Sequence, residues 1–128
     1  MANCHGLNFV TEKSFRAQLD DLFSSLEAGS NSGPAIVCGD FNVWSSSRLA
    51  ALEERVRASG LIEASADDHS GPDTPTFLRA LTPLVGYDPG IPLDRIYTRG
   101  LKVLGCRSVK GLESSDHAPL VLEFAVGA

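Results

Sequence analysis

The chain has 128 residues, of which 43% are hydrophobic, 21% charged and 7% aromatic. That composition belongs to a globular domain with a core and excludes wholesale disorder. Eleven Lys and Arg stand against sixteen Asp and Glu, a formal net charge of −5, so bulk charge does not hold this protein on nucleic acid; a nuclease whose metal supplies the positive charge is not excluded.

One domain of this size buries roughly two-thirds of its unfolded surface, and residues 1–128 are read as a single domain. Cys4, Cys38 and Cys106 are widely spaced and form no CxxC pair, which argues against a disulfide framework and for a reducing compartment. No apolar run approaches the ~18 residues of a membrane helix, and Met1 to Phe9 carries neither a basic start nor an apolar signal core. The expectation is a cytoplasmic protein without a membrane span. A cleaved upstream signal stays open if the chain is a piece of a longer one.

In chain order, Ala2 to Phe9 reads as the tail of a strand. Thr11 is suited to cap a helix in which Phe15, Leu19, Leu22, Phe23 and Leu26 recur at spacings of three and four, with Gly29 and the stretch up to Pro34 ending it. Ala35 to Cys38, bounded by Pro34 and Gly39, is a short apolar run that predicts a buried strand. Ser45 to Ser47 offers N-caps for a second helix, with Leu49, Leu52 and Val56 on one face and Gly60 as its stop. Leu61 to Ala64 reads as a strand. Residues 65 to 92 hold five of the seven prolines; a loop of that length is usually functional or mobile, and a short strand is expected at Thr76 to Leu78. Three strands follow, Leu93 to Thr98, Lys102 to Val109 and Pro119 to Val126, the last with Leu120, Leu122, Phe124 and Val126 on one face. The order predicts an α/β (α+β) fold, a mixed β-sheet layer with flanking helices.

Three polar motifs follow or flank these strands: Gly39-Asp40-Phe41-Asn42, Leu93-Asp94-Arg95-Ile96-Tyr97, and Ser114-Ser115-Asp116-His117-Ala118-Pro119. Ligands of sheet-and-helix proteins bind at such strand ends. A carboxylate next to a buried strand needs a donor, a cation or water, and Asp40, Asp94 and Asp116 are all so placed. Singly, each motif has a plain structural account. Asp40 and Asn42 suit a turn with side-chain-to-backbone bonds, the Asp116-His117 pair suits a cap, and Asp94 with Arg95 suits a local ion pair.

Together, His5 and the three motifs, in this order, resemble the endonuclease/exonuclease/phosphatase superfamily, which includes deoxyribonuclease I-like nucleases, sphingomyelinases and inositol-polyphosphate phosphatases. The resemblance covers nearly the whole chain, and the His5-Gly6-Leu7-Asn8-Phe9 stretch with the segment from Gly39 to Leu52 looks most like small bacterial members. It implies a phosphoester hydrolase using Mg²⁺ or Mn²⁺. A phosphate ester is already anionic, so its hydrolysis calls for a cation on the phosphate, an aligned water and a proton for the leaving group.

By that resemblance Asp40 orients and deprotonates the water and stands near the metal. Asn42 donates to a phosphate oxygen. His117 stabilises the phosphate charge or acts as an acid or base, with Asp94 as its partner. Asp116 is a metal-associated carboxylate. His5 contacts the phosphate or protonates the leaving group. Arg95 and Trp44 are candidates for substrate contact, with a fold-supporting role preferred for both. A zinc site from Cys4, His5 and Cys38 is an alternative, but the spacing matches no familiar ligand pattern and buried inert thiols are the preferred account.

Family members run to about twice this length, as a four-layer α/β/β/α sandwich, and this chain matches the second half. The first half supplies an Asn and the Glu that is the main metal ligand. Glu12, Glu27, Glu53 and Glu54 fall in predicted helices and do not replace it. A lone half-sandwich leaves an apolar sheet face such as Leu120, Leu122, Phe124 and Val126, which predicts a homodimer completing the sandwich. The substrate is a phosphoester, with DNA, RNA and small or lipid phosphoesters all open. A catalytically weak or inactive half-domain that serves as an assembly or binding module is the alternative.

Overall fold

The computed structural model describes residues 1–30, 33–65, 91–109 and 117–127. Its elements are β1 (Ala2–His5), α1 (Glu12–Ser30), β2 (Ala35–Asp40), α2 (Ser46–Ala58), β3 (Ile62–Glu63), β4 (Asp94–Arg99), β5 (Leu101–Ser108) and β6 (Leu120–Val126). The first four strands form one sheet in the order β1-β2-β4-β3, and β5 pairs with β6 in a second. β1 and β2 are parallel, which requires a crossover between them, and α1 is that crossover. β4 runs antiparallel to both β2 and β3. The mixed sheet with flanking helices is the architecture expected from the sequence. The strand expected at Thr76 to Leu78 lies outside the described residues, as does nearly all of the proline-rich segment.

Both helices begin on the predicted caps. Thr11 Oγ1 accepts from the Ser14 amide at 3.2 Å, and Ser45 Oγ accepts from the Arg48 amide at 3.4 Å; each occupies an amide that the first helical turn leaves without a partner. α1 ends at Ser30, within the stretch from Gly29 to Pro34 expected to stop it. Gly60, at φ 64°, turns the chain out after α2.

Phe15, Leu19 and Phe23 from α1 and Ala51, Leu52 and Val56 from α2 pack with Cys4, Ala35, Val37 and Tyr97 of the sheet, and with Phe41 and Val43 from the loop after β2. Each of the Phe, Leu and Val side chains among these contributes about 1.5–3 kcal/mol by leaving water. Phe41 and Tyr97 meet edge to face, with centroids 5.6 Å apart. Burial pushes the Tyr97 phenol above its ordinary value.

Because strand side chains alternate, Ile36, Cys38 and Ile96 face away from the helices. They pack with Ala64, Cys106, Leu120 and Leu122, so the β5–β6 pair covers part of the second face of the sheet. The inner row of that pair continues as Val103 opposite Phe124, and there it runs out of partners: Phe124 is 41% and Val126 66% exposed. Of the apolar row expected to stand open, Leu120 and Leu122 are thus half-covered and Phe124 and Val126 are open. Among the described residues no helix is long and apolar enough to cross a membrane.

Candidate functional site

The register of three neighbouring strands assembles the site. His5 at the end of β1 pairs with Asp40 at the end of β2, and Asp40 pairs with Asp94 at the start of β4. Cross-strand partners share a face, and in β2 and β4 Asp40 and Asp94 alternate in phase with Cys38 and Ile96 rather than with Val37 and Tyr97, so all three lie on the face away from the helices. Two carboxylates and an imidazole therefore stand in a row across one end of the sheet.

His117, just before β6, adds the fourth group. Its Nδ1 lies 2.5 Å from Asp94 Oδ2, with the two side chains 42% and 31% exposed. A carboxylate on Nδ1 fixes the ring's orientation. The expected pairing of His117 with Asp94 is what the geometry shows. The local Asp94–Arg95 pair is not formed, because adjacent strand residues point to opposite faces. Arg95 is buried and donates instead to Glu63 Oε1 at 2.7 Å and to the Pro92 carbonyl at 3.1 Å, a bond set that ties β4 to β3.

Asp40 and Asn42 also make the turn that their types allow. Asp40 Oδ1 accepts from the Asn42 amide at 2.9 Å, which occupies one of the two carboxylate oxygens. Asn42 sits at φ 50°, a left-handed conformation that Asn tolerates better than most residues. Its side chain is 3% exposed and donates to the Gly6 carbonyl at 2.7 Å. Trp44 is half-buried, with its ring 4.4 Å from the Arg48 guanidinium carbon. Asp116 lies outside the described residues.

Two glycines let β1 and β2 approach at this end. A Cβ on Gly39 would fall 1.9 Å from the Cys4 carbonyl oxygen, and one on Gly6 would fall 2.2 Å from the Phe41 carbonyl oxygen. Gly39 also sits at φ 135°, where a side chain is strained. The glycine before Asp40 is therefore fixed by the closeness of the neighbouring strand.

Arg48 is a structural residue of the site that sequence patterning missed. It is 1% exposed, stacks between Phe15 and Trp44, and donates to the carbonyls of Leu7 at 2.9 Å, Asn42 at 3.3 Å and Val10 at 2.8 Å. Burial lowers its pKa, while the Glu12 carboxylate opposes that shift. One side chain thereby binds the loop after β1 to the loop after β2. An arginine in a helix rich in charged residues reads as solvated surface, and only the three carbonyls reveal otherwise.

Among the described residues no group of three or more His, Cys, Asp or Glu is arranged to hold a metal ion. One oxygen of Asp40 accepts from an amide and one of Asp94 meets His117, which leaves each carboxylate a second oxygen. The zinc alternative fails on side-chain direction: Cys4 belongs to the core under the helices and Cys38 packs with the cluster on the opposite face. Burial raises the pKa of both thiols, which keeps them protonated and poorly nucleophilic.

The fold and the strand-end row of His5, Asp40, Asp94 and His117 define an α+β protein with a histidine–carboxylate site. Residues 4–117 match the endonuclease/exonuclease/phosphatase family, and the chain belongs to that family. It is 36% identical over 127 residues to a UPF0294 protein of Vibrio vulnificus (strain YJ016), covering 98% of this chain and 39% of that protein. Among solved structures it is similar to an endonuclease/exonuclease/phosphatase from Bacteroides vulgatus, with a TM-score of 0.63 and 20% identity over 95% of this chain and 48% of that one. It is also similar to a mannosyl-6-phosphatase of Bacteroides thetaiotaomicron VPI-5482, with a TM-score of 0.54 and 16% identity over 96% and 49%. The chain thus spans about half the length of these solved structures and less of the curated relative.

Proposed function

We propose that the protein carries one half of a phosphoester-hydrolase site, acting on a phosphodiester or phosphomonoester. The observation that carries this is the Asp94–His117 pair, at 2.5 Å, beside the His5–Asp40 row. Membership of the family, and the sugar-phosphatase activity named for one neighbour of like fold, support the same reaction class.

Asp40 orients and deprotonates the attacking water through the carboxylate oxygen that the Asn42 amide does not occupy. His117, held by Asp94, meets the phosphate and offsets the charge that develops on it. His5 contacts the phosphate from the neighbouring strand or protonates the leaving group. Asn42 keeps one amide hydrogen for a phosphate oxygen, the other being spent on Gly6. Arg95 and Trp44, both engaged in the fold, act on substrate only through the residues they hold. Dependence on Mg²⁺ or Mn²⁺ belongs to this proposal, with ligands that include Asp116, Asp40 and groups from outside the described residues. When bound, the ion would supply positive charge at the phosphate.

The test is hydrolysis of bis-p-nitrophenyl phosphate, p-nitrophenyl phosphate and plasmid DNA with Mg²⁺ or Mn²⁺. Turnover abolished by EDTA and by Asp40→Ala is the expected result. Absence of turnover across substrates and metals would leave the second reading, an inactive half-domain that binds a partner, which the exposed Phe124 and Val126 favour. The three free cysteines support a reducing, cytoplasmic setting. For assembly, we assign a second copy of the chain to the open end of the β5–β6 pair.

A further inference from the structure

The loop from Gly6 to Val10 leaves β1 directly after His5 and is held at Gly6, Leu7 and Val10. Gln18 accepts from the Leu7 amide at 2.7 Å and donates to the His5 carbonyl at 3.0 Å. Asn42 donates to the Gly6 carbonyl, and Arg48 to those of Leu7 and Val10. The side chains of this fixed loop nevertheless point into water: Leu7 is 41% and Phe9 80% exposed. Phe9 also sits at φ 51°, a left-handed conformation unusual for a bulky residue. A single exposed aromatic needs no explanation. One on a left-handed backbone, in a loop that leaves the strand end carrying His5 and whose Leu7 and Val10 carbonyls a buried arginine holds, does, since such strain concentrates where ligands are gripped.

The position fits a substrate contact. Phe9 is four residues from His5, at most about 14 Å along the chain. The Arg48 nitrogen that holds Leu7 also reaches the Asn42 carbonyl, so the loop lies against the segment that carries Asp40. Asp94, Arg95 and His117 themselves line an open cleft of about 350 Å³, whose remaining wall includes the apolar Ile96, Ala118, Pro119 and Leu120.

We propose that Phe9, with Leu7 beside it, is a specificity-determining platform for a planar ring attached to the phosphoester, so that the preferred substrates are nucleotide-like or aryl phosphates. The claim rests on the hydrolase assignment for where the phosphate lies. A net charge of −5 opposes an anionic membrane as the alternative occupant. The loop itself carries no charged residue, so ring stacking rather than ion pairing gives the preference. Stacking of a base on an aromatic side chain is commonly worth about tenfold or more in affinity.

The test is isothermal titration with deoxyadenosine 5′-monophosphate and with 2-deoxyribose 5-phosphate, which share the phosphate and sugar and differ by the ring. The nucleotide is expected to bind about tenfold more tightly. Phe9→Ala should bring it to the level of the sugar phosphate, and Phe9→Trp should keep the difference. With 80% of Phe9 in solvent, neither variant is expected to alter the circular dichroism spectrum. Equal affinities in the unsubstituted protein, no binding of either probe, or a difference that survives Phe9→Ala would each overturn the platform. Release of phosphate from the ring-free 2-deoxyribose 5-phosphate, followed in parallel with Asp40→Ala, reports on the hydrolase by itself. Ring-dependent binding without turnover would keep the platform and discard the hydrolase.

Discussion

Asp94 is about a third exposed and contacts His117, so the proposed mechanism uses it to orient His117 rather than to hold the fold. Replacing it with Asn keeps the shape and removes the charge. We expect Asp94→Asn to lower kcat about 100-fold, to leave KM less affected, and to leave the urea midpoint within error; an unchanged kcat would remove the dyad from the mechanism. Tyr97 is the opposite case, 1% exposed and ionising less readily when folded than when unfolded. Cys4 shifts in the same direction, by burial first and by the Asp40 charge second. For an acid whose folded pKa is raised, the unfolded chain loses its proton first. Stability is then full below the unfolded pKa and falls as pH rises above it. Urea unfolding from pH 7 to 11 should show stability level to about pH 9 and declining above, by up to about 1.4 kcal/mol per pH unit for each group released. Tyr97→Phe should flatten the upper part of the curve; a curve flat to pH 11 in the parent would contradict the buried phenol.

The two strand ends that carry the site depend on how closely β1 and β2 approach. An alanine Cβ at Gly39 would collide with backbone, the Cys4 carbonyl, and that atom cannot move without breaking the parallel ladder. Gly39→Ala should therefore separate β1 from β2 and displace His5 from Asp40. We expect a lower thermal midpoint together with faster amide exchange at Cys4 and Gly6, while α2, whose cap does not involve this contact, keeps its exchange rates. Most elements were legible in advance, because apolar period and cap residues suffice where a helix or strand buries one face. Thr11, Ser45 and Gly60 marked helix ends for that reason, and the alternation in β6 marked its inner row. Asp40, Asp94 and His117 were legible as motifs, but their adjacency depends on the register of strands distant in sequence. Arg48 was not legible at all: its role comes from three carbonyls on two loops, and no periodic pattern encodes those. The Asn42 side-chain amide spends one hydrogen on Gly6, a bond between two loops that no sequence pattern encodes, and its expected contact with a phosphate rests on the other.

At the scale of the whole molecule, the β5–β6 pair is covered at one end and open at the other. Leu122 and Cys106 rest on the main sheet, while Val103, Phe124 and Val126 continue the same apolar row into solvent. β1 is an edge strand of the main sheet, and exposed edges and apolar rows together promote association. The solved structures of like fold are about twice as long as this chain, which is the amount of structure a second copy would add. A symmetric pair would bring Phe124 of one copy against the same row of the other, as two-fold interfaces do. We expect light scattering after size exclusion to give a dimer mass at micromolar concentration. Phe124→Asp with Val126→Asp should give a monomer with unchanged circular dichroism, because both side chains are exposed in the single chain and a charge there offends only a partner. Parent protein that is monomeric and stable at that concentration would show that the open row is not covered by a second copy. Dimers that persist in the double variant would place the interface elsewhere, the β1 edge being the next surface to alter.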